Sequence, residues 1–288
     1  MIQINPNVWK DFTDKQTRSG VKIVSCYILD APEIIKSTEE EIVLVTWGTD
    51  FGIDTCTLNT VHKSGEKNLK FVPGKTKYQI ATRNHVYHLY DDIPKNIKMW
   101  YGVHGNIKHE RFSCLPEGVF YDIMSFKKNV IPKNYLYLNC INSNGRNFDI
   151  ETFKNCDHAT VFVKTKKNKL TMDKYTQQLQ EHKFCISPQG NGYDTYRFWE
   201  SLYLGVIPIV KRCLLVEHFI DLPILIVDSW DEALSKKFLD DSYERIRSTS
   251  YTLEKLDFNY WKEYIACKKR RLYLASRDKT VLIYQNCY

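Results

Sequence analysis

Short apolar runs, separated by polar, turn-rich or amphipathic stretches, set the rhythm of this 288-residue chain. Segments 21–26 (VKIVSC), Ile42–Trp47 (IVLVTW), 135–141 (YLYLNCI), 160–163, 184–187, 207–210 and 224–227 are β-rich, and several are apolar at consecutive positions rather than alternating. Parallel strands covered on both faces give that signature. Helical stretches fall between them: 148–156, 172–182 opened by Thr171 as an N-cap, 194–204, 230–238 and 260–275. After residue 133 the order is strand–helix–strand–helix–strand–helix–strand–strand–helix, which predicts a doubly wound α/β domain. The first half is less regular, and the polar run 127–133 (KKNVIPK) reads as a linker. The predicted layout is an α/β domain over 1–130, a second, Rossmann-like one over 131–260, and a C-terminal helix within 261–288 returning toward the first, the two domains facing one another across a cleft.

Composition narrows the function classes. The formal charge of +7 suits an anionic ligand such as a nucleoside diphosphate, and equally nucleic acid. The basic residues are scattered, however, and their densest runs, 164–169 (KTKKNK) and 268–271 (KKRR), read as solvated faces or turns rather than a groove. The 19 Tyr and 6 Trp suit both cores and surfaces that stack on ring-shaped ligands. Nine cysteines, an odd number without any CxxC, point to free thiols in a reducing compartment. No leader pattern opens the sequence and no run of 18 apolar residues occurs, so the expectation is a soluble, cytoplasmic protein without a membrane span.

The most informative stretch is 187–210, SPQGNGYDTYRFWESLYLGVIPIV. A strand ends near Ser187, the loop 188–192 follows at its carboxyl end, and a helix begins near Asp194. Ligands of open parallel sheets bind at such ends. Gly190 and Gly192 permit positive φ and close backbone approach, and the helix presents free N–H groups and a positive dipole end. Arg197, one turn in, can fork onto diphosphate oxygens. Glu200 follows at i+3 on the same face, where a carboxylate suits two adjacent ribose hydroxyls; the plainer alternative is an Arg197–Glu200 ion pair.

This segment resembles the nucleotide-sugar half of exostosin-type glycosyltransferases, through Pro188, Gly190, Thr195, Arg197, Glu200, Ser201, Gly205, Ile207, Pro208, Ile209 and Val210. A looser resemblance to exostosin-like enzymes of bacteria and large DNA viruses, xylosyltransferases among them, runs over most of the chain, through TWGTD (46–50), WYGVHGNIKHERF (100–112), LPEGV (115–119) and PILIVDSWDEA (223–233). In TWGTD, Trp47 and Gly48 stand where such relatives carry His and Asn. The resemblance implies a GT-B fold, two Rossmann-like domains facing across a cleft, and an inverting, metal-independent transfer from a UDP-sugar to a glycan or glycoprotein hydroxyl. No Asp-x-Asp occurs, and Gly192 occupies the position where retaining GT-B enzymes carry a second Glu. UDP-xylose is the donor of choice and a fucose of a viral capsid glycan the acceptor, with glucuronic acid, galactose or arabinose as other donor sugars; no cofactor is expected. A viral source would put the protein in the host cytoplasm.

Such a transfer needs a base for the acceptor hydroxyl and charge stabilisation for the departing diphosphate. Asp50, beyond the carboxyl end of Ile42–Trp47, is the chosen base, with Asp54, Glu117 and Asp11 as rivals. His104 and His109 are acceptor-side candidates. Donor-side candidates are Gly190, Asn191, Gly192, Tyr193, Asp194, Thr195, Arg197 and Glu200, with Arg146 and Lys164 as further cations at strand ends; Tyr193 or Tyr196 could stack on uracil, and Asp194 is either a helix N-cap or a sugar contact. The competing classes are a non-catalytic nucleotide- or carbohydrate-binding protein and a basic nucleic-acid-binding protein, the latter requiring a basic stripe that this charge distribution lacks.

Overall fold

The computed structural model describes residues 2–12, 15–17, 20–48, 52–55, 75–81, 86–141, 149–165, 167–190, 192–266, 269–275 and 280–286. The first half runs β1 (Lys15–Gln16), β2 (Lys22–Tyr27), α1 (Ala31–Ser37), β3 (Ile42–Trp47), β4 (Gly52–Thr55), β5 (Tyr78–Ala81), β6 (Val86–Tyr90), β7 (Ile97–Val103) and β8 (Phe112–Leu115). Its main sheet has the order β1-β2-β3-β7-β8 and is parallel from β2 to β8, with β1 antiparallel at the edge. β3 is buried from Ile42 to Thr46 because parallel neighbours flank it and both of its faces are covered. Strands β4, β5 and β6 form a separate antiparallel sheet. The first half is thus more regular than its sequence suggests: β7 is interrupted by Lys98 and Gly102, and β8 has only four residues, so neither stands out as an apolar run.

The second half runs β9 (Asn134–Ile141), α2 (Ile150–Lys154), β10 (Ala159–Lys164), α3 (Met172–Gln180), β11 (His182–Ile186), α4 (Tyr196–Leu204), β12 (Ile207–Lys211), α5 (Leu214–Glu217), β13 (Leu225–Val227) and α6 (Lys236–Ser248). All pairings in its sheet are parallel and the order is β10-β9-β11-β12-β13. Thr171 caps α3 by accepting the Lys174 N–H. The helix expected over 230–238 is instead a 3-10 turn, Trp230–Leu234, closed by a Ser229/Glu232 capping box; Ser235 then starts α6 afresh. Helix α4 stops where Gly205 turns left-handed, at φ 79°.

Side chains alternate across this sheet. Leu136, Leu138, Phe184, Ile186, Ile207 and Ile209 pack on the side of α6, whereas Tyr137, Cys185 and Val210 face α4 and join a core continuous with that of the first sheet. Tyr203 on α4 stitches the halves together: its hydroxyl accepts the Ile4 N–H at 2.9 Å and donates to the Leu256 carbonyl at 2.6 Å. The single helix expected over 260–275 is corrected to α7 (Phe258–Ala266) followed by an antiparallel hairpin, β14 (Lys269–Ala275) and β15 (Thr280–Asn286). The reason is the partner strand: TVLIYQN favours an extended backbone and pairs with β14 along its length. Helix α7 rests on the first half, with Trp261 6.4 Å from Trp9 and Tyr264 5.8 Å from Tyr101 between ring centroids. Among the described residues no helix is long and apolar enough to cross a membrane.

Candidate functional site

The second sheet changes winding direction at β9, whose neighbours β10 and β11 lie on opposite sides of it. Connections leaving β9 and β11 therefore diverge, and the carboxyl ends of these strands leave a crevice, the usual ligand position in such sheets. A cavity of about 670 Å³ lies here. Asn139 on β9, Phe162 and Lys164 on β10, Gly190 in the loop after β11, and Arg197 and Glu200 on α4 line it. Glu117, Phe120 and Tyr121, from the segment after β8, line it too, so both halves of the chain contribute.

Arg197 and Glu200 share the cavity but not each other. Among the described residues the Arg197 guanidinium has no hydrogen-bond or ion-pair partner, and it is only half-buried. Glu200 is buried and accepts the Tyr175 hydroxyl at 2.5 Å. Burial raises its carboxyl above the usual range, against the pull of Tyr175, Arg197 and Lys164. Tyr175, raised well up by burial and by Glu200 itself, keeps its proton and remains the donor. The Thr195 hydroxyl pairs with Ser187 at 2.9 Å and caps none of the first-turn N–H groups of α4. Those N–H groups, the guanidinium and Lys164 give this part of the cavity an anion-binding character.

A buried polar cluster adjoins the N-terminus of α4. The Asp194 carboxylate accepts the backbone N–H of Glu117 (2.8 Å), its neighbour Thr195 N–H (2.8 Å) and the Trp199 indole N–H (2.8 Å). Burial pushes its carboxyl up, with His104 and those donors opposing. Asp194 is thus a latch between the halves, and Thr195 takes the N-cap position of α4. His104, with a left-handed backbone (φ 57°), accepts the Asp194 N–H on Nδ1 at 3.1 Å and turns Nε2 toward Glu117 Oε1 at 3.4 Å. Burial raises the Glu117 carboxyl to about 7, while His104 pulls it down, Asp194 pushes it up, and the Tyr196 hydroxyl lowers it.

The two loop glycines differ from expectation: neither Gly190 nor Gly192 has positive φ. A Cβ on Gly192 would lie 2.5 Å from His104 Nδ1, so its smallness serves contact with the other half; a Cβ on Gly190 would meet nothing closer than Thr195 Cγ2 at 3.9 Å. Tyr193 turns away from the cavity to donate to Asp54 at 2.7 Å. Asp54 also accepts from Asn106 and Thr55, lies off the cavity, and has its carboxyl raised by burial despite these donors. His109 sits 3.1 Å from Asp92 and accepts the Arg111 N–H, bracing a turn of the first half. Asp50, Asn191 and Arg146, and the side chain of Asp11, lie outside the described residues.

Sequence reasoning missed Tyr175, Asn139, Phe162, Phe120 and Tyr121. The last two follow directly on LPEGV, a signal that was available; Tyr175 is one tyrosine among 19 and its helix carries no motif. No protein-family model and no curated protein matches the chain. Fold and cavity define an α/β protein with two largely parallel sheets and a cavity at the strand ends of the second, lined by both halves.

Proposed function

We propose that the chain is an exostosin-type, GT-B glycosyltransferase that moves a sugar from a UDP-sugar to a glycan hydroxyl with inversion. One observation carries the reading: a guanidinium without a partner among the described residues, an open helix N-terminus, a buried carboxylate, and Glu117, with its carboxyl raised to about 7, line one cavity. Arg197, Lys164 and the α4 N–H groups hold the diphosphate, and Glu200 takes the ribose hydroxyls. Glu117 replaces Asp50 as the base of this reading, because a carboxylate poised near neutrality in the same cavity as the donor-binding groups suits proton abstraction at physiological pH. The acceptor oxygen attacks the anomeric carbon as its proton passes to Glu117. The bond from that carbon to the β-phosphate oxygen breaks, and UDP departs with the electron pair, its charge met by Arg197 and the helix end. The mechanism draws on no metal, and the choice of xylose rests on the resemblance alone.

A second reading, a non-catalytic nucleotide- or carbohydrate-binding protein, draws on the 2% exposure of Glu117 and its engagement by His104 and Tyr196. Calorimetry with UDP and a UDP-sugar hydrolysis and transfer assay separate the two. The enzyme reading expects UDP binding that weakens at least about tenfold in Arg197→Ala, and turnover lost in Glu117→Gln with binding intact. UDP binding without turnover in wild type supports the second reading; equal UDP affinity in Arg197→Ala refutes the donor site. Full turnover in Glu117→Gln, with loss in Asp50→Asn, returns the base to Asp50.

A further inference from the structure

Three residues beyond Glu117, the chain leaves two large aromatic side chains in solvent. Phe120 is 61% and Tyr121 57% exposed, although both line the cavity. Their ring centroids are 5.1 Å apart at 72°, and Phe120 meets Tyr196 edge-on at 5.9 Å. The segment that carries them is pinned on both sides. Gly118 has φ +78°, and an added Cβ there would lie 2.2 Å from the Ile4 carbonyl oxygen. Val119 is buried and donates its N–H to that same carbonyl at 2.8 Å. Ile123, also buried, donates to Gln3 Oε1 at 3.0 Å, and the Gln3 amide binds Asp122. The aromatic pair is therefore presented in a fixed orientation, which lowers the entropy cost of binding a ligand against it.

A flat or cyclic ligand with an apolar face fits such a pair. A nucleobase and a pyranose ring both qualify, and position separates them. Phe162, Leu170 and Met172, from the same half as the anion-binding groups and Glu200, offer a base its own apolar surface. Phe120 and Tyr121 come from the half that carries Glu117, and Tyr196 meets both Phe120 and Glu117. We infer that they form the acceptor platform, holding the pyranose whose hydroxyl Glu117 deprotonates with its C–H face against the rings and its hydroxyls outward. The inference rests on the proposed role of Glu117 and adds the acceptor's class: a sugar in pyranose form.

The test uses the full chain and its Phe120→Ala/Tyr121→Ala double variant, with thermal melting to establish folding. Methyl pyranosides of glucose, galactose, mannose, xylose and fucose are examined by saturation-transfer NMR in the presence of UDP, and the affinities of UDP and UDP-xylose by calorimetry. At least one pyranoside is expected to receive saturation on its C–H face in wild type. The double variant is expected to reduce that signal about fivefold while nucleotide affinities change less than about twofold. Phe120→Trp with Tyr121 intact, which keeps a ring at each position, retains the signal. Absence of a signal for every pyranoside in wild type, an equal signal in the double variant, or a parallel fall in UDP or UDP-xylose affinity overturns the platform. A wild type that takes up a pyranoside on this pair but binds no UDP supports the platform and refutes the donor reading instead.

Discussion

His104 places its Nε2 3.4 Å from Glu117 Oε1 while its Nδ1 accepts the backbone N–H of Asp194. The second contact decides the chemistry of the first. A nitrogen that accepts an N–H carries no proton, so the imidazole proton sits on Nε2, the nitrogen nearer the carboxylate. His104 belongs to the first half and Asp194 to the loop before α4, so closure of the two halves and the protonation of the candidate base are one arrangement. Gly192 makes it possible by leaving room for the ring.

The first prediction concerns the rate profile. A base whose carboxyl is raised to about 7 is half-ionised near that pH, so kcat/KM for transfer is expected to rise with pH and level off above it. His104, whose Nε2 lies 3.4 Å from the carboxylate, draws that value down. In His104→Ala the rising limb is therefore expected to move about one pH unit upward, with UDP affinity little changed. An unmoved limb in His104→Ala would separate the histidine from the ionisation that governs turnover.

Stability carries the same ionisation with its own sign. Glu117 has an ordinary value of 4.5, which the unfolded chain would show, and burial raises it to about 7 in the folded one. Between these values the folded state retains a proton that the unfolded state has released. The stabilisation held by the neutral carboxyl is complete below the unfolded value and is lost as pH rises through about 7, by ~3 kcal/mol in full. Glu117→Gln cannot ionise, so its stability relative to wild type is expected to improve from about pH 5 to about pH 8 by ~2–3 kcal/mol. Urea unfolding at both pH values measures this, and a difference independent of pH would place Glu117 in a more hydrated setting than its burial implies.

Much of the second half is legible in the sequence because its strands are covered on both faces and so are apolar at consecutive positions, as IPIVK is in β12. The residues of the loop and α4 are legible too, since Arg197 and Glu200 lie on one short helix face and both line the cavity. In the first half the sequence offers Glu117 only as one of several candidate acids, beside Asp50, Asp54 and Asp11. Glu117 is one acid among 34 until the fold sets it beside His104 and Asp194, which are 13 and 77 residues away in the chain. The same holds for Tyr193, whose partner Asp54 is 139 residues distant, and for the hairpin after α7, which is defined by pairing between strands rather than by local pattern.

The glycines of the loop are expected to separate packing from ligand contact. Gly192→Ala puts a methyl 2.5 Å from His104 Nδ1, so melting is expected to reveal a loss of ~1–3 kcal/mol. Gly190→Ala meets only Thr195 Cγ2 at 3.9 Å, and its stability is expected to stay within ~0.5 kcal/mol of wild type. Any weakening of UDP binding in Gly190→Ala then reports the ligand's own approach to the backbone. Equal melting of the two variants would show that the loop moves away from His104 at no cost.

The ribose assignment gives the sharpest discrimination. Tyr175 supplies one donor to the buried Glu200 carboxylate, which leaves further lone pairs for ligand hydroxyls. A carboxylate that hydrogen-bonds a ribose hydroxyl is expected to favour UDP over its 2′-deoxy analogue by ~1.5–3 kcal/mol, roughly 10- to 150-fold in Kd. In Glu200→Ala that preference is expected to collapse toward unity, because the variant no longer has a carboxylate to lose a partner. Tyr175→Phe, in contrast, removes the competing donor and is expected to keep the preference while destabilising the ligand-free chain more than the UDP-saturated one. Calorimetry on both nucleotides with the three proteins decides it. An undiminished preference in Glu200→Ala would mean that another group reads the ribose and that Glu200 serves the fold.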